Sequence, residues 1–348
     1  VCFWAARAAK ATWDVREHGA GGSARLRVYC SAETHTWIQK AADLAGLGTS
    51  SIRWIPTGTN LAMEVDALRR AMEADAGAGA IPMMVVGTAG SVSTGAVDPL
   101  PAIAAVCREH NAWFHVDGAY GGFAAASAEA PADMIGLRDA DSIAIDPHKW
   151  LYAPLEAGCA LVRDPERLPA AFSYHPPYYH FEEQATNYVD CGPQNSRGFR
   201  ALKVWLALRH AGAAGYRAMI AEDMRLARAL ADAVSHTPEL QAMTQSLSIT
   251  TFRYVPADLR SRLGDPDVDV YLDALNKELL DRLQRGGELF VSNAVVAGRY
   301  VLRACIVNFH TSGTDIRAVP TIVAGLGRVV DDALRPRLLR DGRATGTP

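Results

Sequence analysis

Short apolar runs alternate with amphipathic helical segments across the first half of the chain, and this alternation restricts the fold more than any other feature. Strand-like runs lie at 26–31 (LRVYCS), 51–56 (SIRWIP), 82–90 (PMMVVGTAG), 112–119 (AWFHVDGA), 142–146 (SIAID) and 158–164 (GCALVRD). Helical patterns occupy 36–44, 65–74 and 100–111 between them. Apolar strands without polar alternation need cover on both faces, which a parallel sheet flanked by helices supplies. The expected fold class is α/β with a mostly parallel sheet, whose last strand is free to return antiparallel after a hairpin-like turn near 150.

From 173 to 195 (SYHPPYYHFEEQATNYVDCGPQN) the periodicity lapses, with four tyrosines and three prolines. A stretch this long without periodicity in a compact protein is functional or disordered, and it reads as a mobile loop. Helical patterns follow at 197–212 and 216–236. Strands within 247–256, 288–296 and 299–308 then mix with helices near 268–285 and 314–331. This predicts a large domain over 1–212 and a small C-terminal α+β domain over 213–348, with 341–348 (DGRATGTP) as a disordered end. The chain opens at Val1, without Met, in what reads as one helix already under way over 1–19. No basic head and apolar stretch of a signal peptide is present there, and the true N-terminus is expected to lie upstream.

A formal net charge of -3 gives no electrostatic reason to expect nucleic acid or an anionic membrane as partner. No apolar run approaches the roughly 18 to 20 residues of a membrane span. The six cysteines are scattered, without a CxxC pair or metal-like spacing. They read as small hydrophobes or surface thiols in a reducing compartment, taken to be the cytoplasm.

Reactive chemistry concentrates at two strand ends. Arginine supplies most cations, and the chain has only five lysines: Lys10, Lys40, Lys149, Lys203 and Lys277. Four sit in helical segments, whereas Lys149 directly follows the run SIAIDPH. A lysine that loses its proton can attack a carbonyl, which arginine cannot; an ordinary loop lysine is the other reading. Asp117 ends the run FHVD and is followed by Gly118, Ala119, Gly121 and Gly122, which would let a flat ligand approach the backbone. Asp117 and Lys149 are about thirty residues apart, the length of a βαβ unit that brings both strand ends to one edge. A carboxylate and a lysine at one crevice suit pyridoxal 5'-phosphate, the lysine as Schiff-base former and the aspartate as partner of the pyridinium nitrogen. A structural Asp117–Lys149 ion pair is the alternative.

Five segments in order, SAETHTWIQKAADLAG (31–46), TAGSVSTGAVDP (88–99), HVDGAYGG (115–122), DPHKW (146–150) and RGFRALKVW (197–205), resemble the group II pyridoxal-phosphate-dependent amino acid decarboxylases. The aromatic L-amino acid decarboxylases are the nearest branch. The resemblance implies the type I, aspartate-aminotransferase-like fold, a homodimer, and decarboxylation of an L-amino acid, aromatic in the sense that the branch acts on aromatic substrates. It implies that Lys149 forms the Schiff base, that His148 contacts the phosphate or orients the turn, and that Asp117 binds the pyridine nitrogen. Ala119 would pack against the ring and His35 stack on its other face, unless His35 is simply a helix-start residue. Ser91 stands where the family usually has threonine near the cofactor. Thr88 ends the same strand, where a turn hydroxyl is an equal reading. Tyr188, eleven residues before Phe199, matches the spacing of a loop tyrosine that reaches the neighbouring subunit's site as general acid; an ordinary loop tyrosine is the alternative. Arg197 and Arg200 would open a helix near the subunit contact or a solvated helix start.

Two departures stand out. Asp146 occupies a position where relatives often carry Asn or Ser, and an acid beside a phosphate is unfavourable unless it points away. The family's Gly/Ser-rich phosphate loop belongs before the segment resembling VCFWAARAAKA, so this chain is expected to lack that anion site. Rival readings are transamination, oxidative decarboxylation or another type I reaction, and an inactive truncated paralogue. A Rossmann dinucleotide enzyme is disfavoured because no GxGxxG follows a strand.

Overall fold

The computed structural model describes residues 1–22, 24–178 and 186–338. The expected disordered end at 341–348 and the middle of the 173–195 loop lie outside the described residues. The chain divides into two units, Val1–Val92 with Ala96–Ala218, and Ser93–Gly95 with Met219–Pro348. The division falls after Ala218 rather than at the expected 212.

The first unit is built on a six-stranded sheet of order β2-β1-β3-β4-β5-β6. Its strands are β1 (Leu26–Ser31), β2 (Ile52–Ile55), β3 (Ile81–Thr88), β4 (Trp113–Asp117), β5 (Ser142–Ile145) and β6 (Cys159–Val162). All neighbours are parallel except β5 and β6, which pair antiparallel. Five of the six strands lie within their expected runs, β3 starts one residue earlier at Ile81, and the antiparallel return is present. The central strands are buried on both faces, as their apolar composition requires.

Helices cover both faces. On one, α1 (Cys2–Lys10) and α3 (Trp37–Leu44) bury Phe3, Ala6, Ile38 and Ala42 with Val28, Met84, Val86 and Trp113. On the other, α4 (Val65–Gly77) and α5 (Leu100–Glu109) bring buried Leu68, Met72, Leu100 and Ile103 against β3 and β4. Gly87 permits this approach, because a Cβ there would stand 2.8 Å from Leu100 Cδ2 and 3.2 Å from Phe114 Cε2. The opening is not one helix. Asp14 caps a separate α2 (Val15–His18), its carboxylate accepting from the Arg16 and Glu17 amides. A short α6 (Arg167–Phe172), not expected, follows β6.

The second unit carries an antiparallel sheet of order β7-β8-β10-β9. Its strands are β7 (Leu240–Ser246), β8 (Ile249–Tyr254), β9 (Ser292–Val296) and β10 (Arg299–Cys305). Strand β7 was not anticipated. Helices α8 (Pro266–Gly286) and α9 (Gly313–Leu338) pack on this sheet around Phe252, Tyr271, Leu275 and Leu302. The span α7 (Arg200–Ser235) is two helices meeting at Gly212, whose φ 66 and ψ 172 are not helical, in keeping with the two helical patterns expected there.

A buried carboxylate ties the loops at the sheet's carboxyl edge. Asp98 accepts hydrogen bonds from the Met63 amide (2.7 Å) and the Thr88 amide (2.8 Å). Its own amide donates to the Thr88 carbonyl at 2.9 Å. Burial pushes the Asp98 carboxyl up to about 6, although the two amides pull it back. Because this value lies above that of the unfolded chain, the associated stability is fully present below about pH 4 and is lost as pH rises through about 6. The span is worth on the order of 3 kcal/mol. Urea unfolding across pH 4 to 7 is expected to show this decline in the native protein and a flatter profile in Asp98→Asn. Parallel profiles would remove Asp98 as its source.

Candidate active site

Register brings the candidate residues together. Thr88, Asp117 and Ala144 are successive partners across β3, β4 and β5. The carboxyl ends of these strands, and of β1 leading to His35, therefore line one edge of the sheet. The loops there are hydrogen-bonded to one another. The Ala89 amide donates to the Asp117 carbonyl (2.8 Å), the Gly118 amide to Ala144 (2.9 Å), and the Asp146 amide to Ala119 (3.2 Å).

Asp117 closes β4, and its Oδ1 accepts the Ala119 amide at 3.0 Å. A 3-10 turn over Gly121–Ala126 follows. It packs so closely that a Cβ on Gly122 would meet Ile145 Cγ2 at 2.8 Å. Strand β5 stops at Ile145 because Pro147 has no amide to donate to a ladder. The chain then turns, with the Lys149 amide on the Asp146 carbonyl (2.9 Å) and the Ala153 amide on Pro147 (3.0 Å). Trp150 anchors this turn, fully buried and stacked on Tyr120 with centroids 5.0 Å apart. Lys149 Nζ lies 2.9 Å from Asp146 Oδ2, and the lysine side chain is 43% exposed. The alternative reading, a structural Asp117–Lys149 ion pair, is not among the described contacts; Lys149 pairs with Asp146 instead. His148 Nδ1 lies 2.6 Å from the Ala157 carbonyl and 3.2 Å from the Ala157 amide, and Nε2 faces Asp146 Oδ2 at 4.0 Å.

The other expected residues vary in setting. His35 is exposed just before α3, and its Nδ1 accepts the Trp37 amide at 3.2 Å. Ser91 and Thr88 are buried in the loop that Asp98 holds. Tyr188 starts a 3-10 turn, is 68% exposed, and lies under the Arg197 guanidinium at 6.0 Å. Arg200 begins α7 and pairs with Glu156. Nearby, His175 Nε2 meets Asp190 Oδ1 at 3.0 Å.

One polar cluster escaped the sequence reading. His115, two residues before Asp117 and on the same face of β4, places Nδ1 2.8 Å from Ser142 Oγ, which also accepts from Trp113 Nε1 at 2.8 Å. Cys2 of α1 joins it. Burial works to raise the Cys2 thiol, but His115, the Val1 ammonium and Ser142 together hold it below its usual range. Adjacency of His115 and Ser142 depends on strand register, which no local pattern reveals. A cavity of about 420 Å³ whose lining includes Lys10, Arg108, Arg138, Arg163, Asp139 and Asp141 lies near the opposite, amino edge of the sheet. Among the described residues, no cluster of three or more His, Cys, Asp or Glu side chains could hold a metal ion. No described helix is long and apolar enough to cross a membrane.

The donor set fits the pyridoxal ring of pyridoxal phosphate. It offers a carboxylate for a protonated ring nitrogen, a primary amine for a carbonyl carbon, and a glycine-bearing turn between them.

Comparison with known proteins agrees. The pyridoxal-dependent decarboxylase conserved domain matches residues 1–255. The chain is 32% identical over 308 residues to an aromatic-L-amino-acid decarboxylase of Bacillus atrophaeus, covering 87% of this chain and 63% of that one. It is 32% identical over 299 residues to a phenylacetaldehyde synthase of a Rosa hybrid cultivar, covering 84% of this chain and 59% of the relative. The crystal structure of Oryza sativa TDC with PLP and tryptamine superimposes with a TM-score of 0.85 at 32% identity, over 94% of this chain and 67% of that chain. The chain thus spans about three fifths of the length of these curated relatives.

Removal of the Trp150 ring would leave a cavity beneath the Lys149 turn. Trp150→Ala is expected to cost about 3–5 kcal/mol, read as a lower urea midpoint, with Trp150→Phe losing much less. A midpoint unchanged in Trp150→Ala would show that the turn does not depend on this anchor.

Proposed function

The chain belongs to the family of pyridoxal-dependent decarboxylases, and we propose that it releases the carboxylate of an aromatic L-amino acid as carbon dioxide, leaving the amine. The observation that carries this reading is the placement of Asp117 and Lys149 at the carboxyl ends of adjacent parallel strands. The aromatic preference rests on the relatives' activities.

Pyridoxal phosphate, when bound, supplies an electron sink for the pair left on the substrate α-carbon as carbon dioxide departs. Asp117 would pair with the ring nitrogen and keep it protonated. Lys149 would hold the cofactor covalently through Nζ and yield it to the substrate amine. His148, oriented through Nδ1 by Ala157, would stiffen that turn at the phosphate side. Ala119 would lie against one ring face and His35 would cover the other. Ser91 and Thr88 would shape the loop beside the ring.

A proton must then reach the α-carbon. Tyr188 is proposed as its donor, acting from a loop that also excludes water. Its exposure on its own chain supports delivery to a second copy, and the proposed assembly is a homodimer. Six free cysteines support a cytoplasmic setting. Similarity to a phenylacetaldehyde synthase favours one second reading, oxidative decarboxylation to an aldehyde.

Borohydride treatment of the chain with pyridoxal phosphate is expected to fix the cofactor on the Lys149 peptide. Lys149→Arg should abolish that adduct, because a guanidinium is not nucleophilic. An adduct that persists at another lysine would overturn the assignment. Carbon dioxide release across a panel of amino acids, with amine and aldehyde measured together, tests the reaction itself.

Tyr188→Phe is expected to keep carbon dioxide release while shifting product under air from amine toward aldehyde. Tyr179, the neighbouring alternative, lies outside the described residues. A normal amine yield in Tyr188→Phe, with loss in Tyr178→Phe or Tyr179→Phe, would reassign the donor.

A further inference from the structure

Asp146 stands between β5 and the turn that bears Lys149, and its surroundings show where its charge goes. Its Oδ2 lies 2.9 Å from Lys149 Nζ and 4.0 Å from His148 Nε2. Its backbone is held on both sides, the amide by Ala119 and the carbonyl by the Lys149 amide. Its Oδ1 sits beside Gly158, where a Cβ would come within 3.3 Å. The carboxylate side chain is 24% exposed. Thus the acid faces the cation three residues on, across a turn that Pro147 stiffens, and is not left facing an anion.

We propose that Asp146 is a positioning residue for Lys149. It holds the ε-ammonium at the end of β5 and restrains its reaction while no cofactor is bound. A half-exposed pair at this distance has the favourable charge–charge contact of a salt bridge, weakened but not abolished by solvent. Acylation of the amine must break that contact and release a proton, so the pair slows it. The significance of the inference rests on the proposed role of Lys149, whereas the ion pair itself does not.

The test uses the full chain freed of cofactor and a limiting amount of an N-hydroxysuccinimide acetate at pH 8. Peptide mass spectrometry gives the acetylation rate at each lysine, with Lys40, Lys203 and Lys277 as internal references. Relative to these, Lys149 is expected to label at least threefold faster in Asp146→Asn than in the native chain, and Asp146→Glu should restore slow labelling. A merely structural role would not be rescued in this way. Equal relative rates in the native chain and Asp146→Asn would overturn the proposal, as would labelling in Asp146→Glu as fast as in Asp146→Asn. A second measurement needs no variant. In 1 M salt the relative rate at Lys149 should rise severalfold as the pair is screened, and an unchanged rate would equally overturn it. Borohydride trapping of pyridoxal phosphate on the native chain is run beside these. Failure to trap at Lys149 would sink the decarboxylase reading while leaving the labelling result to stand or fall alone.

Discussion

Parallel pairing of β3, β4 and β5 is the constraint on which the first unit depends. Parallel strands that start at one edge finish at the other, so Thr88, Asp117 and Ala144 end in line. The side-chain period of a strand is two, and a slip of one residue would turn Asp117 to the opposite face. It would then leave the face that α1 and α3 cover and lose its place beside the turn bearing Lys149. The apolar core thereby sets the chemistry. Val28, Met84, Val86 and Trp113 must face these helices, and their burial holds the register that aims the carboxylate.

Charge at this edge is arranged by degree of burial. Asp98 is fully enclosed and hydrogen-bonded to backbone, so it serves loop geometry and its carboxyl lies high. Asp146 is partly exposed and finds a cation within its own turn. Asp117 uses one oxygen to accept the Ala119 amide, an Asx-type contact that orients the carboxylate. Three aspartates on neighbouring loops thus take different tasks because their environments differ. Residue type alone does not distinguish them.

The likeness to known decarboxylases extends past the residues that carry the proposed chemistry. It covers 94% of the chain in the superposition with Oryza sativa TDC, including most of the antiparallel unit. That unit is held by its own core of Phe252, Tyr271, Leu275 and Leu302. Its β7 has the mixed composition LQAMTQS and, among the described residues, pairs only with β8. An edge strand needs just one hydrogen-bonded side and one partly buried face, so its sequence carries no clear alternation.

Local signals in the amino-acid sequence determined the α/β class, the strands of the parallel sheet, the presence of Asp117 and Lys149 at strand ends, and the family resemblance. These follow from periodicity and from short motifs, which operate over a few residues. The break between α1 and α2 was also written locally, as Asp14 with Glu17 three residues later, but the alanine-rich run before it reads as a continuing helix. What the tertiary structure alone decided is pairing at a distance. Asp98 could be seen as an acid in a loop, yet its burial against the Met63 amide required two loops to meet. His115 and Ser142 stand 27 residues apart and become neighbours through β4–β5 register. Asp146 is only three residues from Lys149, but that spacing does not say which way a carboxylate turns, and the packing of Gly158 and the Ala119 hydrogen bond turn it toward the amine. Electrostatic interactions depend on distance and exposure, and both are properties of the folded arrangement.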